Sequence, residues 1–299
     1  MKIGAVFPQT DIGDDAGAIR EWTLGVEAMG FDHVDAYDHV IGANTASRPG
    51  WDGAYDIDSQ FYEPFTLLSY MAALSSTLSF MTGVFILPQR QTVLFAKQAA
   101  CLDRLCGGRL RLGVGTGWNA VEYEALGVDF AQRGAIFDDQ IEVLRALWSN
   151  RAVTIDTPFH KITDAGLKPM PVQQPIPLWL GGGGGGTIVQ TSTSNDKVIR
   201  RIARLADGWL PLCAPDEHGA ALVERMRGYA RDYGRDPAGI GIQAGLRGRR
   251  ALEDQWAEHA NAWRRLGATH MFINTMQDGL TGADQHLRRL EEALRAVSR

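Results

Sequence analysis

A histidine follows a carboxylate at the end of one predicted strand. Residues 33–37 favour a short strand, and Asp38 and His39 come directly after it. Histidine is the side chain best suited to moving a proton near neutral pH, and a neighbouring carboxylate can orient its ring or bind a ligand N–H group. The pair therefore indicates acid–base catalysis by His39 with Asp38 beside it. The alternative is a capped strand end with a satisfied histidine.

Glycine-rich turns follow two other predicted strands. The strand predicted at 109–114 leads into Thr116 and Gly117, and the strand at 177–180 leads into a run of six glycines at 181–186. Glycines let backbone N–H groups approach a planar or anionic ligand closely, and free N–H groups ahead of a helix suit a phosphate. A tight strand-to-helix turn and a flexible linker are the alternative interpretations.

Aromatic side chains gather on the predicted loops. Trp51, Tyr55 and Trp118 are the candidates for substrate contact, and Phe61 and Tyr62 lie close to them in the sequence. Aromatic residues in such loops favour an apolar or aromatic substrate, with packing inside the loops as the alternative.

Several other chemistries find no support in the sequence. No lysine ends a predicted strand, which argues against an aldolase-type imine, and no Gly-X-Ser-X-Gly motif is present. Histidines, cysteines and carboxylates do not cluster with the spacing of metal ligands, so we expect no metal site.

The elements that position these residues alternate regularly between strand and helix. Apolar strands and amphipathic helices follow one another in eight units over 299 residues. This number favours a single α/β domain, a (β/α)8 TIM barrel spanning 1–299, over an open doubly wound sheet, and no Gly-X-Gly-X-X-Gly follows the first strand. Barrel enzymes carry their chemistry at the carboxyl ends of the strands. We expect insertions at this mouth, at about 41–62, 153–177 and 184–196.

The composition argues against a nucleic-acid partner and against a membrane span. With 30 basic and 35 acidic residues the net charge is −5, which offers no basic excess for a nucleic acid. Three cysteines without a paired spacing predict a reduced, cytoplasmic protein. Residues 64–89 carry no charge, but their many serines and threonines favour a buried helix and strand over a membrane span.

A set of segments in fixed order resembles the luciferase-like oxidoreductases. The matching segments are 96–105, 107–109, 113–119, Glu122, 125–127, 132–134, the prolines before Trp179, and 206–209. The resemblance covers nearly the whole chain. It implies a (β/α)8 barrel that binds FMN or the deazaflavin coenzyme F420, with the ring at the mouth, and a homodimer.

The same resemblance implies a role for individual positions. Asp38 and His39 look like the Asp-His pair of the deazaflavin branch, with Asp38 on the ring system and His39 facing the reactive carbon and the substrate. Gly83 and Val84 match a strand bulge, often with a non-prolyl cis peptide, that backs the ring. The remaining cofactor positions are the ring neighbours Thr116, Gly117 and Trp118 and the phosphate turn Gly181, Gly182 and Gly183.

One position departs from the family pattern. The sugar-phosphate dehydrogenase of the deazaflavin branch has a glutamate directly after Gly-Thr-Gly, where this chain has Trp118. A glucose-6-phosphate substrate is therefore not expected. The resemblance implies F420-dependent hydride transfer with His39 as the acid–base and a small, apolar or aromatic substrate. An FMN-dependent two-component monooxygenase and a non-catalytic flavin-binding protein are the alternatives.

Overall fold

Eight parallel strands close into a barrel in the computed structural model, which describes residues 1–183 and 196–298. Each strand pairs with its neighbour, and the third strand pairs with β5 through Phe80–Leu110 and Met81–Arg111. The barrel strands are β1 (Lys2–Val6), β2 (His33–Ala36), β3 (Ser79–Thr82) continued by β4 (Phe85–Ile86), β5 (Leu110–Gly115), β8 (Leu178–Gly181), β9 (Gly208–Leu210), β10 (Gly241–Arg247) and β11 (His270–Asn274). The predicted TIM barrel is confirmed.

Helices surround the barrel and bury an apolar stripe against it. The buried Trp22, Trp148 and Trp263 each lie on such a helix. The helices are α1 (Ala16–Ala28), α2 (Pro64–Leu74), α3 (Thr92–Leu105), α4 (Ala120–Ala125), α5 (Arg133–Ser149), α6 (Asp196–Leu205), α7 (Glu217–Asp232), α8 (Trp256–Arg265) and α9 (Gly282–Val297). The uncharged segment 64–89 forms α2 and the third strand. Among the described helices none is both long and apolar enough to cross a bilayer.

Alternate side chains of each strand point into the barrel. On β10, Gln243 donates from Nε2 to Asp35 Oδ2 at 2.6 Å and accepts from Arg111 Nη1 at 3.2 Å. These partners come from β2 and β5, across the barrel interior. Because strand side chains alternate, Gly245 and Arg247 face the same interior closer to the mouth.

The third barrel strand is interrupted where the resemblance predicts a bulge. The strand stops at Thr82 and resumes at Phe85, and the Gly83–Val84 peptide between them is cis. The periodicity predicted one continuous strand, whereas Val84, at the interruption, packs against Met81, Trp179 and Leu210.

The three predicted insertions differ in position. Residues 41–62 follow β2 and lie at the mouth, where they place Trp51, Tyr55 and Phe61. A position at the mouth was predicted for 153–177, whereas this segment leads from α5 back to β8 and so begins and ends at the amino ends of the strands. Its hairpin, β6 (Val153–Asp156) with β7 (Lys161–Ala165), is followed by a stretch in which Gln173 Nε2 donates to Leu110 O at 2.7 Å, at the amino end of β5. Of 184–196, the structure describes only Asp196, the first residue of α6.

Candidate active site at the barrel mouth

His39 lies at the mouth with one ring nitrogen held by a carboxylate. Its Nδ1 is 2.9 Å from Oε1 of Glu122, a residue of the short helix α4. Asn119 begins this helix by accepting from the Val121 N–H at 3.1 Å. The Glu122 side chain is buried at 1% exposure, whereas the His39 side chain keeps 13%. The mouth thus contains a histidine–carboxylate pair with the histidine on the open side.

The surroundings of Glu122 fix the tautomer of His39. Glu122 Oε1 also accepts from the Val40 N–H at 3.1 Å, and Oε2 accepts from Gln89 Nε2 at 3.2 Å. Both oxygens therefore act as acceptors, and the assigned network places the histidine hydrogen on Nδ1. No described residue hydrogen-bonds Nε2, so this nitrogen is left to accept or donate a proton at the mouth.

Asp38 lies beside His39 but is engaged by the protein. Arg90 donates from Nη2 to Oδ1 at 2.6 Å and from Nε to Oδ2 at 3.3 Å, and the Ile86 N–H donates to Oδ2 at 3.0 Å. Arg90 also pairs with Glu63 at 3.1 Å. Burial raises the pKa of Asp38, and Arg90 opposes this shift. Asp38 thus anchors the turn that carries His39, while its predicted contact with a cofactor stays a prediction.

Three aromatic rings surround the His39 imidazole. Ring centroids of Phe61, Tyr55 and Trp118 lie 4.7, 4.8 and 5.9 Å from it. Trp51 continues this wall, with its ring 6.0 Å from that of Trp118. The predicted substrate residues Trp51, Tyr55 and Trp118 therefore come together around the predicted catalytic histidine.

Val84, at the interruption of the third barrel strand, packs against two glycines of neighbouring strands. An added Cβ would lie 2.9 Å from Val84 Cγ2 at Gly115 and 2.9 Å from Val84 Cγ1 at Gly181. The valine side chain therefore rests on two residues that have no side chain. At Gly117, with φ +63°, an added Cβ would lie 2.7 Å from Ile86 Cγ2. This glycine-lined floor provides a flat, apolar surface of the kind that a planar ring requires.

The two predicted cofactor turns flank this floor. Thr116 is fixed by its carbonyl, which accepts from the Tyr123 hydroxyl at 2.6 Å. In the second turn the Gly182 N–H donates to Leu210 O at 3.2 Å, and Gly182 O accepts from Trp209 Nε1 at 2.7 Å. Gly182 and Gly183 have φ of +126° and +89°, which glycine adopts readily. The glycines after 183 lie outside the described residues, and the phosphate role of Gly181, Gly182 and Gly183 stays a prediction.

Three polar side chains, Tyr37, Arg247 and Asn274, lie on the β10–β11 side of the mouth. Asn274 donates from Nδ2 to the Tyr37 hydroxyl at 3.0 Å, and Arg247 pairs with Asn274 in strand register. Burial raises the pKa of the Tyr37 phenol, which keeps it protonated at neutral pH. No cluster of three or more metal-ligating side chains occurs within 1–183 and 196–298.

Residues 3–299 match the family described as luciferase-like monooxygenases. The chain belongs to this family. An uncharacterised protein of Mycobacterium tuberculosis is 34% identical to this luciferase-like protein over 175 residues, covering 58% of this chain and 56% of that relative. A phthiodiolone/phenolphthiodiolone dimycocerosates ketoreductase of Mycobacterium tuberculosis is 31% identical over 193 residues, covering 62% of this chain and 47% of the ketoreductase. The matches thus span about half the length of these curated relatives.

Solved structures share the fold over the full chain. The monooxygenase RslO1 from Streptomyces bottropensis superposes with a TM-score of 0.75 at 18% identity, covering 100% of both chains. An F420-dependent secondary alcohol dehydrogenase in complex with an F420-acetone adduct gives a TM-score of 0.75 at 16% identity, covering 99% of this chain and 98% of the other. At these identities the likeness concerns the fold.

The structure adds four residues that were not predicted as site residues. They are Tyr37, Gln89, Glu122 and Arg247. Gln89 and Arg247 lie near predicted strand ends, and Glu122 belongs to the segments that resemble the family, but none of these signals specifies a partner. The pairing of His39 with a residue 83 positions away depends on the path of α4 across the mouth.

Proposed function

We propose that this luciferase-like protein is an oxidoreductase that transfers a hydride between coenzyme F420 and a small organic substrate with an apolar or aromatic body. The observation that carries the proposal is His39. Its Nδ1 is held by Glu122 at 2.9 Å, and its Nε2 lies at a mouth walled by aromatic rings.

The residues at the mouth fit a flat cofactor ring. Val84 rests on Gly115 and Gly181, so a ring placed on this floor meets a smooth apolar surface. When bound, the deazaflavin supplies a ring carbon that can accept or deliver a hydride, and the redox chemistry belongs to it. Val84, Thr116, Gly117 and Trp118 would hold the ring against this side of the mouth.

His39 manages the proton that accompanies the hydride. In the oxidation of an alcohol, Nε2 takes the hydroxyl proton. In the reduction of a carbonyl group, Nε2 returns a proton to the oxygen. Glu122 keeps the hydrogen on Nδ1 and stabilises the imidazolium that forms when Nε2 is protonated. The rings of Tyr55, Phe61 and Trp118 limit the access of water to this nitrogen.

Two lines of support favour F420 and hydride transfer. The Asp38-His39 pair resembles the deazaflavin branch, and one relative is a ketoreductase by its name. The second candidate function is an FMN-dependent two-component monooxygenase, which the family's description as monooxygenases supports.

The His39→Ala variant tests the proposal. F420 absorbance would be followed with a panel of cyclic secondary alcohols, ketones and enones. Because the variant loses the proton acceptor, turnover should fall by about 10²- to 10⁴-fold while cofactor affinity changes little. His218→Ala, on the exposed surface of α7, is the matched control. Unchanged turnover in His39→Ala, or no hydride transfer by the wild type across the panel, would overturn the proposal.

A further inference from the structure

Arg247 is a basic side chain at the mouth that the proposed reaction does not use. It is the last residue of β10 and is half-buried. It faces the barrel interior together with Gln243, whose side chain reaches Asp35 inside the barrel at 2.6 Å. Its guanidinium group therefore projects into the mouth rather than toward the surrounding helices.

The charge of Arg247 has no carboxylate partner among the described residues. No Asp or Glu oxygen of 1–183 or 196–298 lies within 4.0 Å of it. Arg90, the other arginine of the site, differs because Asp38 and Glu63 both pair with it. A half-buried guanidinium group without a carboxylate partner in the protein is available to pair with an anionic ligand.

Two phenols lie within electrostatic range of Arg247. Its positive charge acts on the phenols of Tyr37 and Tyr55, whose pKa values are raised by burial and moderated by Arg247. Asp11 is the carboxylate on this side, and its oxygens accept from Thr10 Oγ1 and from the Gln277 N–H, each at 2.7 Å.

Tyr37 supplies a second donor beside Arg247. Its hydroxyl oxygen accepts from Asn274 Nδ2 at 3.0 Å, and within the described part of the chain its hydrogen has no acceptor. A guanidinium group and a phenol hydrogen on one side of a cleft form a donor pair that suits a carboxylate or another oxyanion.

We propose that Arg247 and the Tyr37 hydroxyl bind an anionic group of the substrate, so that the substrate is an organic acid with an apolar or aromatic body. The aromatic wall around His39 contacts the body, and the acidic group lies on the β10 side. That the bound organic acid is a substrate rests on the proposed function, whereas its binding requires no redox step. The cofactor's own acidic groups are the other source of the same chemistry.

Binding of two probes of one shape tests this inference. Benzoate and its neutral isostere benzamide would be titrated by calorimetry into the protein without cofactor. Wild type should prefer benzoate. Arg247→Gln should weaken benzoate binding by about 10- to 100-fold and leave benzamide binding nearly unchanged. Arg247→Lys should keep part of the preference, because it keeps the charge but loses the planar fork.

Matched variants separate a local effect from a general one. Arg249→Gln removes an exposed arginine two positions along and should leave benzoate binding unchanged. Tyr37→Phe should weaken benzoate binding by a few-fold, since one donor is lost. Thermal unfolding would confirm that each variant is folded.

Two results would overturn the inference. They are equal binding of the two probes by wild type, and benzoate binding that Arg247→Gln leaves unchanged. If Arg247→Gln then also weakens the binding of F420, Arg247 belongs to the cofactor site. Because these titrations measure binding without turnover, they test the anion site even if the protein proves not to transfer a hydride.

Discussion

At the scale of single residues, the orientation of His39 depends on Glu122. Glu122→Gln keeps the shape of the side chain and removes its charge. The amide oxygen can still accept from His39 and Val40, while the new NH₂ group faces Gln89. Gln89 Oε1 has no partner in the described structure, so a flip of the Gln89 amide satisfies the new donor.

We therefore expect Glu122→Gln to fold normally and to act on catalysis. The imidazolium formed during turnover loses its counter-charge, so kcat should fall by about 10- to 100-fold with cofactor affinity and thermal stability nearly unchanged. Steady-state kinetics of this variant beside Glu122→Asp measure the effect, with partial activity expected for the aspartate. Wild-type kcat in Glu122→Gln would show that Glu122 only packs against His39.

The sequence predicted this arrangement of side chains only in part. Asp38 and His39 were found because a strand end in a barrel predicts the mouth. The partner of Asp38 was not found, since Arg90 is 52 positions away and belongs to a different strand-to-helix turn. Residue type and spacing predict which residues reach the mouth, whereas the hydrogen bonds among them depend on the loop paths.

At the scale of elements, the floor of the mouth forms because Val84 packs against glycines, Gly115 and Gly181, on the neighbouring strands. Gly115→Ala places a methyl group 2.9 Å from Val84 Cγ2, a distance that forces the valine to move. Because Val84 also packs on Met81, Trp179 and Leu210, the displacement raises it into the mouth.

Gly115→Ala should weaken F420 binding by about 10-fold or more, measured by fluorescence titration. The control is Gly228→Ala on α7, where an added Cβ meets no atom within 4 Å. That change should leave F420 binding unchanged and stabilise the helix by about 0.5–1 kcal/mol. F420 affinity that is equal in both variants would contradict the assignment of the floor.

Strand and helix order was predictable because apolar periodicity is local. The interruption at Gly83–Val84 was expected only from the family resemblance, since residues 78–87 read as one apolar strand. A mouth position was predicted for 153–177 because the segment is long. The connection runs from helix to strand, so it begins and ends at the amino ends, while its hairpin turn reaches the first residue of α3, where His160 Nε2 lies 2.5 Å from Thr92 Oγ1.

At the scale of the whole molecule, a polar cluster fills the barrel below the site. Asp35 is fully buried and accepts from Gln243 at 2.6 Å, with His33 Nε2 at 3.6 Å. Burial raises the pKa of Asp35 to about 7, against the opposing charge of Arg111. Burial also holds the pKa of His33 well below its usual range, so both groups are neutral in mildly acidic solution.

The raised pKa of Asp35 makes stability depend on pH. The folded protein holds the proton more tightly than the unfolded chain, so this contribution is full below about pH 4 and is lost as pH rises through about 7. Asp35→Asn is permanently neutral and still accepts from Gln243. The free energy of unfolding of Asp35→Asn minus that of wild type should increase by about 1–3 kcal/mol from pH 5 to pH 8.

Urea unfolding at the two pH values measures this difference. Asp14→Asn, at an exposed carboxylate, is the control and should follow wild type. If the Asp35→Asn and wild-type curves stay parallel with pH, Asp35 is charged in the folded barrel. Sequence alone could not reveal this cluster, because Asp35 and Gln243 are 208 positions apart and meet only when the barrel closes.

The choice of cofactor separates F420-dependent hydride transfer from the FMN-dependent monooxygenase. Purified protein without cofactor would be titrated with F420 and, separately, with FMN, following the fluorescence of each. The resemblance of the Asp38-His39 pair to the deazaflavin branch predicts saturable binding of F420 that is at least about 10-fold tighter than that of FMN, a difference of about 1.4 kcal/mol. Tighter binding of FMN would contradict F420-dependent hydride transfer and assign the protein to the monooxygenase branch of its family.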